Sequence, residues 1–236
     1  MQIPQKSIRF AVIVGMALMI GTFLYPVHNR MLELGWFAGL ILLWLATLAS
    51  LSARKTLRII VFFLPFSAAI PFVLPEKKID PDVLCARYVE RLQAYDGTRY
   101  VWGGESSLGI DCSGLPRKSL RDALLEQGWR NANGAAFRMW LSHWWHDTSA
   151  FAMSQGYRGF TRPLGIKGQL WNLADSPIRP GDLAVRGDGG HVVVYLGNRE
   201  WIEADPNRGK VHRWISSPSD GGWYENMTVH RWVGCE

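Results

Sequence analysis

Three uncharged, apolar stretches at residues 10–27, 34–53 and 59–75 constrain this chain more than any other feature. They run for 18, 20 and 17 residues, and about 20 helical residues at ~1.5 Å each span the hydrocarbon of a bilayer. Lipid offers no partner for a free amide or carbonyl, so such runs resolve as helices. The sequence therefore predicts a membrane anchor over residues 1–75 with about three transmembrane helices. Pro65 and Pro71 each remove a backbone donor from the third, and neighbouring spans must shield the kink. Cleavage of the first stretch as a leader is disfavoured, because no small-x-small site follows Leu24 and Cys85 lacks the small residues that precede a lipoprotein cysteine.

Cations orient this region. Lys6 and Arg9 precede the first stretch, and Arg54, Lys55 and Arg58 fill the turn between the second and third, whereas the first connector has only Arg30 against Glu33. Cytoplasmic ends collect Lys and Arg. The N-terminus is thus expected in the cytoplasm, the protein in the cytoplasmic membrane, and residues 76–236 in the periplasmic or extracellular space, because an odd number of spans exports the chain beyond them. The net charge of +6 carries no hint of a nucleic-acid partner: residues 76–236 hold 20 Lys and Arg against 19 Asp and Glu, and the excess lies in the membrane region.

Beyond a short charged linker at 76–81, the chain reads as α+β. Leu84, Tyr88 and Leu92 recur at helical spacing, and residues 111–126 form a second helical segment with Pro116 in its first turn, where proline is tolerated. Short β-type runs follow at 183–185, 191–196 and 201–203, separated by glycine turns, with two more at 211–215 and 227–233. Helices packed on an antiparallel sheet are expected.

Cys112 stands at the start of the second of these helices, where unpaired amides and the helix dipole favour an anion, and a cysteine attacks as its thiolate. His191 begins a strand after a glycine turn and is the candidate base. Glu203, on the next strand, is placed to accept the ring's other N–H, with Asp205 as the local competitor.

Four ordered blocks surround these residues: Tyr100-Val101-Trp102-Gly103-Gly104, Gly109-Ile110-Asp111-Cys112-Ser113-Gly114-Leu115, Pro180-Gly181-Asp182-Leu183 and His191-Val192-Val193-Val194-Tyr195-Leu196-Gly197. In them the chain resembles the NlpC-type peptidases, papain-like cysteine enzymes of the bacterial cell wall. The resemblance implies a papain-like domain over residues 76–236, with Cys112 as nucleophile, His191 as base, Glu203 as the orienting residue and Tyr100 lining the site. It implies substrate-binding roles for Asp111 and Ser113, which in some relatives help hold the free amine of a stem peptide; helix capping is the alternative. It also implies a substrate, the bond between D-glutamate and the diamino acid of peptidoglycan stem peptides. A cysteine amidase or acyltransferase acting elsewhere, and a non-catalytic cell-wall-binding module, are the other readings. No cofactor or metal is called for, and there is room for an unidentified membrane or cell-wall partner.

Two departures from the family stand out. Its third position is more often His, Asn or Gln than Glu, and the 79-residue separation of Cys112 from His191 points to an insertion at 128–167. Within it Phe137, Trp140, Leu141, Trp144 and Trp145 share helical spacing, which predicts either a face packed on the domain or a glycan- or membrane-contacting lid. His143 and His146 are three apart, but only Asp147 is near as a third ligand for a metal. Cys85 and Cys235 read either as unlinked apolar side chains or as a pair formed outside the cytoplasm.

Overall fold

A computed structural model describes residues 5–27, 30–51, 53–219 and 224–236. The first apolar stretches form helices α1 (Gln5–Phe23) and α2 (Arg30–Ser50). Residue 15 lies against 43, and 19 against 36 and 39, so the two run antiparallel. Among the described residues α2 alone is long and apolar enough to cross a membrane, and α1 contributes a shorter apolar helix, Val12–Thr22. The side chains of Lys6 and Arg9 fall outside the described residues.

The third apolar stretch is not one continuous helix. It is divided into α3 (Lys55–Ser67) and a single turn, α4 (Ile70–Val73). Pro65 sits in the last turn of α3 and Pro71 at the start of α4. A proline interrupts the helical ladder from within but fits the first turn, where its missing donor has no partner to lose.

Asp80 caps α5 (Pro81–Ala94) by accepting from the amides of Asp82 and Val83 at 3.0 and 3.3 Å. Leu84, Tyr88 and Leu92 form the buried stripe of α5. A two-stranded hairpin, β1 (Glu105–Ser106) and β2 (Gly109–Ile110), leads to the long helix α6 (Gly114–Asn131), which packs on α5. Helices α7 (Gly134–Trp145) and α8 (Ala150–Ser154) follow, then β3 (Thr161–Gly168) and the short α9 (Leu170–Leu173). The remaining strands are β4 (Leu183–Arg186), β5 (Val192–Gly197), β6 (Glu200–Asp205), β7 (Lys210–Ile215) and β8 (Met227–Trp232). With β3 they make a six-stranded antiparallel sheet in the order β3-β8-β4-β5-β6-β7.

Alternation along the strands divides the core in two. Val192, Val194, Ile202 and Val211 face α5 and α6, while Val193, Tyr195, Trp201 and Val229 form the opposite cluster with Leu170 and Leu173 of α9. This is the α+β arrangement of helices on an antiparallel sheet that the sequence predicts.

Residues 128–167 are not a loop draped over the domain. They supply the last turn of α6, then α7, α8 and most of the edge strand β3. Phe137 is buried and meets Trp129 edge-on, with ring centres 5.0 Å apart. The tryptophan face of α7 turns toward the N-terminal helices: Trp140 stacks on Trp144 at 6.1 Å, Trp144 meets Phe37 of α2 at 5.7 Å, and Phe72 of α4 lies 6.4 Å from Trp140. Helix α7 is thus the packing element between the two regions.

Candidate active site

The polypeptide around Cys112 is fixed mainly by Asp111. Its Oδ1 accepts from the amide and hydroxyl of Ser113, both at 3.0 Å, and from the amide of Gly114 at 2.6 Å. Oδ2 accepts from the amide of Gly103 at 2.9 Å. One carboxylate therefore ties the start of α6 to the Tyr100–Gly104 turn. Only a glycine fits at 114, because a Cβ there would lie 2.4 Å from the Gly104 carbonyl oxygen. The Oδ1 contacts of Asp111, the Ser113 hydroxyl among them, are capping contacts, and its Oδ2 contact serves the turn. Cys112 is held nearly buried immediately before α6, beside the helix's free amides.

His191 arrives from the other side, on the residue before β5. Asp188 organises the preceding turn, accepting from the Gly190 amide and the Arg186 guanidinium, each at 2.8 Å. The His191 ring lies beside Cys112, close enough for the thiol to raise its pKa, and its Nε2 engages Glu203 Oε2. This leaves Nδ1 for the sulfur. His191 is 2 % exposed and Glu203 1 %.

Burial opposes charge on the His191 ring, but the neighbouring Cys112 and Glu203 outweigh it and raise its pKa to about 9. Burial likewise opposes the Glu203 carboxylate. Hydrogen bonds from His191, His212 and Tyr224 and the His191 charge prevail, lowering its pKa to about 2. At neutral pH the pair is imidazolium and carboxylate.

Asp205 does not take this place. It accepts from the Asn207 amide at 2.7 Å and lies 3.6 Å from His212 Nε2. Tyr100 is half-buried near Cys112, Asp111 and Asp205; burial first, then those negative charges, hold its hydroxyl protonated well above the usual tyrosine range.

Two contributors escape the sequence reading. Tyr224 donates to Glu203 Oε1 at 2.5 Å, and His212 Nε2 stands 3.3 Å from the same oxygen. His212 pairs with Glu203 in the β6–β7 register, so strand alternation was the available signal. Tyr224 follows the undescribed residues 220–223, and nothing in the sequence connects it to β6.

The residues weighed as metal ligands in α7 separate. His143 is buried against Phe160 at 4.1 Å, with its pKa lowered to about 4 by burial and then by the Arg121 and His146 charges, and Asp147 pairs with Arg117. Among the described residues, the ligand-type group that does converge is Glu203, Asp205 and His212, with ligand atoms within 4.8 Å of one another.

No curated protein matches the chain. Solved structures similar to it include the P60 domain of an antigen from M. avium subspecies paratuberculosis, 23 % identical, covering 63 % of this chain and 93 % of that one with a TM-score of 0.38. The NlpC/p60 domain of the peptidoglycan hydrolase SagA is 24 % identical, covering 61 % and 96 % with a TM-score of 0.37. The peptidoglycan hydrolase RipB from Mycobacterium tuberculosis is 20 % identical, covering 71 % and 76 % with a TM-score of 0.39. The model of the NlpC/P60 family matches residues 97–232. A match over more than half of the chain, running from before the Tyr100 turn to the end of β8, makes this protein a member of the NlpC/P60 family.

Proposed function

We propose that this protein is a membrane-anchored cysteine hydrolase that cleaves an amide bond of peptidoglycan stem peptides, the bond between D-glutamate and the diamino acid. Members of its family are typically cysteine peptidases and peptidoglycan hydrolases. The observation that carries the reading is the buried line from Cys112 through His191 to Glu203.

In the proposed reaction Cys112 attacks the carbonyl carbon as thiolate, its charge opposed by the His191 imidazolium. The Cys112 amide helps hold the oxyanion. His191 gives its proton to the departing amine, and the C–N bond breaks to leave a thioester. The ring, now neutral, takes a proton from water as the water attacks; the C–S bond breaks and the acid leaves. Glu203 fixes the ring and favours its charged form in both steps. Tyr100 lines the site and offers a neutral hydroxyl. Asp111 and Ser113 take the stem peptide's amine: Oδ2 of Asp111 accepts one bond in this structure, and a carboxylate oxygen has two lone pairs.

The anchor reading is supported by α2 and by the uncovered apolar side chains of α1 to α3, Leu18, Leu42 and Leu64 among them. Its orientation is supported by which ends touch the catalytic domain. In the α1–α2 connector the Pro26 carbonyl accepts from the Glu105 amide at 3.1 Å and Val27 bridges to Gly104. After α4 the Pro75 carbonyl accepts from the Gly134 amide at 3.0 Å. The cations Arg54, Lys55 and Arg58 lie at the opposite end of α2, as an exported catalytic domain requires.

Incubating the full chain in detergent with defined stem peptides and identifying products by mass tests the substrate. Free D-glutamate-ended and diamino acid-started fragments are expected. Cleavage of another amide, or release of an acyl-transfer product, would assign a different reaction to the same cysteine.

A further inference from the structure

Cys85 and Cys235 have no part in the proposed chemistry, yet the fold joins them from opposite ends of the domain. Cys85 lies in the second turn of α5, and Cys235 ends the 3₁₀ turn Val233–Cys235 after β8. The two elements pack closely: a Cβ added to Gly234 would lie 3.2 Å from Leu84 Cδ2. Cys85 and Cys235 line the same cleft, each thiol shifts the titration of the other, and Cys85 donates to the Pro180 carbonyl at 3.3 Å. The structure holds all three cysteines as thiols. A cleft of about 420 Å³, lined by Asp82, Cys85, Arg179, Pro180, Arg231 and Cys235, opens the pair to a small oxidant.

We propose that Cys85 and Cys235 are joined by a disulfide in the working protein, leaving Cys112 as its single thiol. The bond would close the domain on itself, from its first helix to its last turn, over the Pro180–Gly181 turn that feeds β4. A Cβ at Gly181 would meet the Cys85 sulfur at 2.8 Å, so the turn already rests on this pair. The proposal rests on the reading that the domain lies outside the cytoplasm, where such bonds persist.

Formation proceeds by exchange with a disulfide-bearing oxidant. Cys85 is the attacking thiol, because the neighbouring Cys235 lowers its pKa despite burial. Its thiolate attacks one sulfur of the oxidant, forming a mixed disulfide and releasing the first donor thiol. Cys235 then gives up its proton, attacks the Cys85 sulfur and expels the second. Two protein thiols are oxidised, and one donor disulfide is reduced to two thiols.

The test uses the full chain in two arms. In one, cells are lysed into an alkylating reagent and the protein is digested with and without reductant. In the other, reduced purified protein is exposed to oxidised glutathione before alkylation. Mass spectrometry is expected to find the Cys85 and Cys235 peptides cross-linked in both arms, two hydrogens lighter than the separate thiols, with Cys112 alone alkylated. Reductant should lower the melting temperature of the wild type and leave that of Cys85→Ser unchanged. Alkylation of Cys85 and Cys235 in both arms, or a cross-link to Cys112, would overturn the pairing while leaving the export reading intact. A cross-link with glutathione but free thiols from cells would overturn the disulfide in the working protein together with the export reading.

Discussion

The two regions of this molecule bury their apolar residues in opposite ways. In the NlpC/P60 domain Leu84, Leu124 and Ile202 are completely enclosed between helices and sheet, and the buried polar pair His191 and Glu203 is hydrogen-bonded. In α2 no residue is buried, although its composition is more apolar than that of α5, α6 or α7. An apolar side chain stabilises a fold by leaving water. The domain achieves this with its own contacts, whereas apolar side chains of α1 to α3 such as Leu18, Leu42 and Leu64 stay uncovered. The His191–Glu203 pair sits where packing is self-sufficient, buried in a core whose contacts fix its position.

The sharpest way to break this contrast is through the buried charge. Glu203→Gln keeps the shape but removes the carboxylate; kcat/KM on a stem peptide is expected to fall about 10²–10⁴-fold, by analogy with loss of the acid in a catalytic triad. An effect within a few-fold would show that His191 needs no charged partner. Next comes burial itself. Leu124→Ala in α6 should lower the unfolding free energy by about 2–5 kcal/mol, and Leu42→Ala in α2 should leave the domain's melting temperature unchanged. Equal effects would erase the distinction between the two regions. A smaller change is expected from Tyr224→Phe, which removes a hydrogen bond to a charged group, a contact of about 1.5–3 kcal/mol. Turnover should drop roughly tenfold as Glu203 loses a contact that holds it in place.

Stability should follow pH through the same pair. The folded pKa of His191 is raised from 6.5 to about 9, so its contribution is complete below 6.5 and disappears as pH rises through 9. That of Glu203 is lowered from 4.5 to about 2, so its contribution is complete above 4.5 and disappears as pH falls through 2. Melting temperature should form a plateau between about 4.5 and 6.5 from these two groups. His191→Gln should flatten the alkaline side; an unchanged alkaline slope would place the linkage elsewhere.

Much of this was legible in the chain. Apolar alternation located β4 to β8 and helical spacing located α5, because in each the buried face dictates the pattern, while α6 was read from Pro116 in its first turn. Edge strand β3 was hidden: Pro163 and Gly165 interrupt its β signal, and the register with β8 shifts between Pro163 and Lys167. The motifs singled out Cys112, His191 and Glu203, and adjacent strands brought the last two together. Sequence could not choose between Glu203 and Asp205, since both lie on β6 and only the fold shows which carboxylate reaches His191. Tyr224 was unreadable because it lies between β7 and β8, which are not neighbours in the sheet, so no strand pattern brings it to Glu203. The tryptophans of α7 announced a packing face, but their partners, Phe37 and Phe72, belong to the other region.

The central claim, that Cys112 is the nucleophile of an amide hydrolase, is tested most directly by following one defined stem peptide with the full chain and with Cys112→Ala at matched concentration. The account predicts cleavage by the wild type and a loss of about 10⁴-fold or more in the variant at unchanged melting temperature. Retention of cleavage in Cys112→Ala within a few-fold would contradict it.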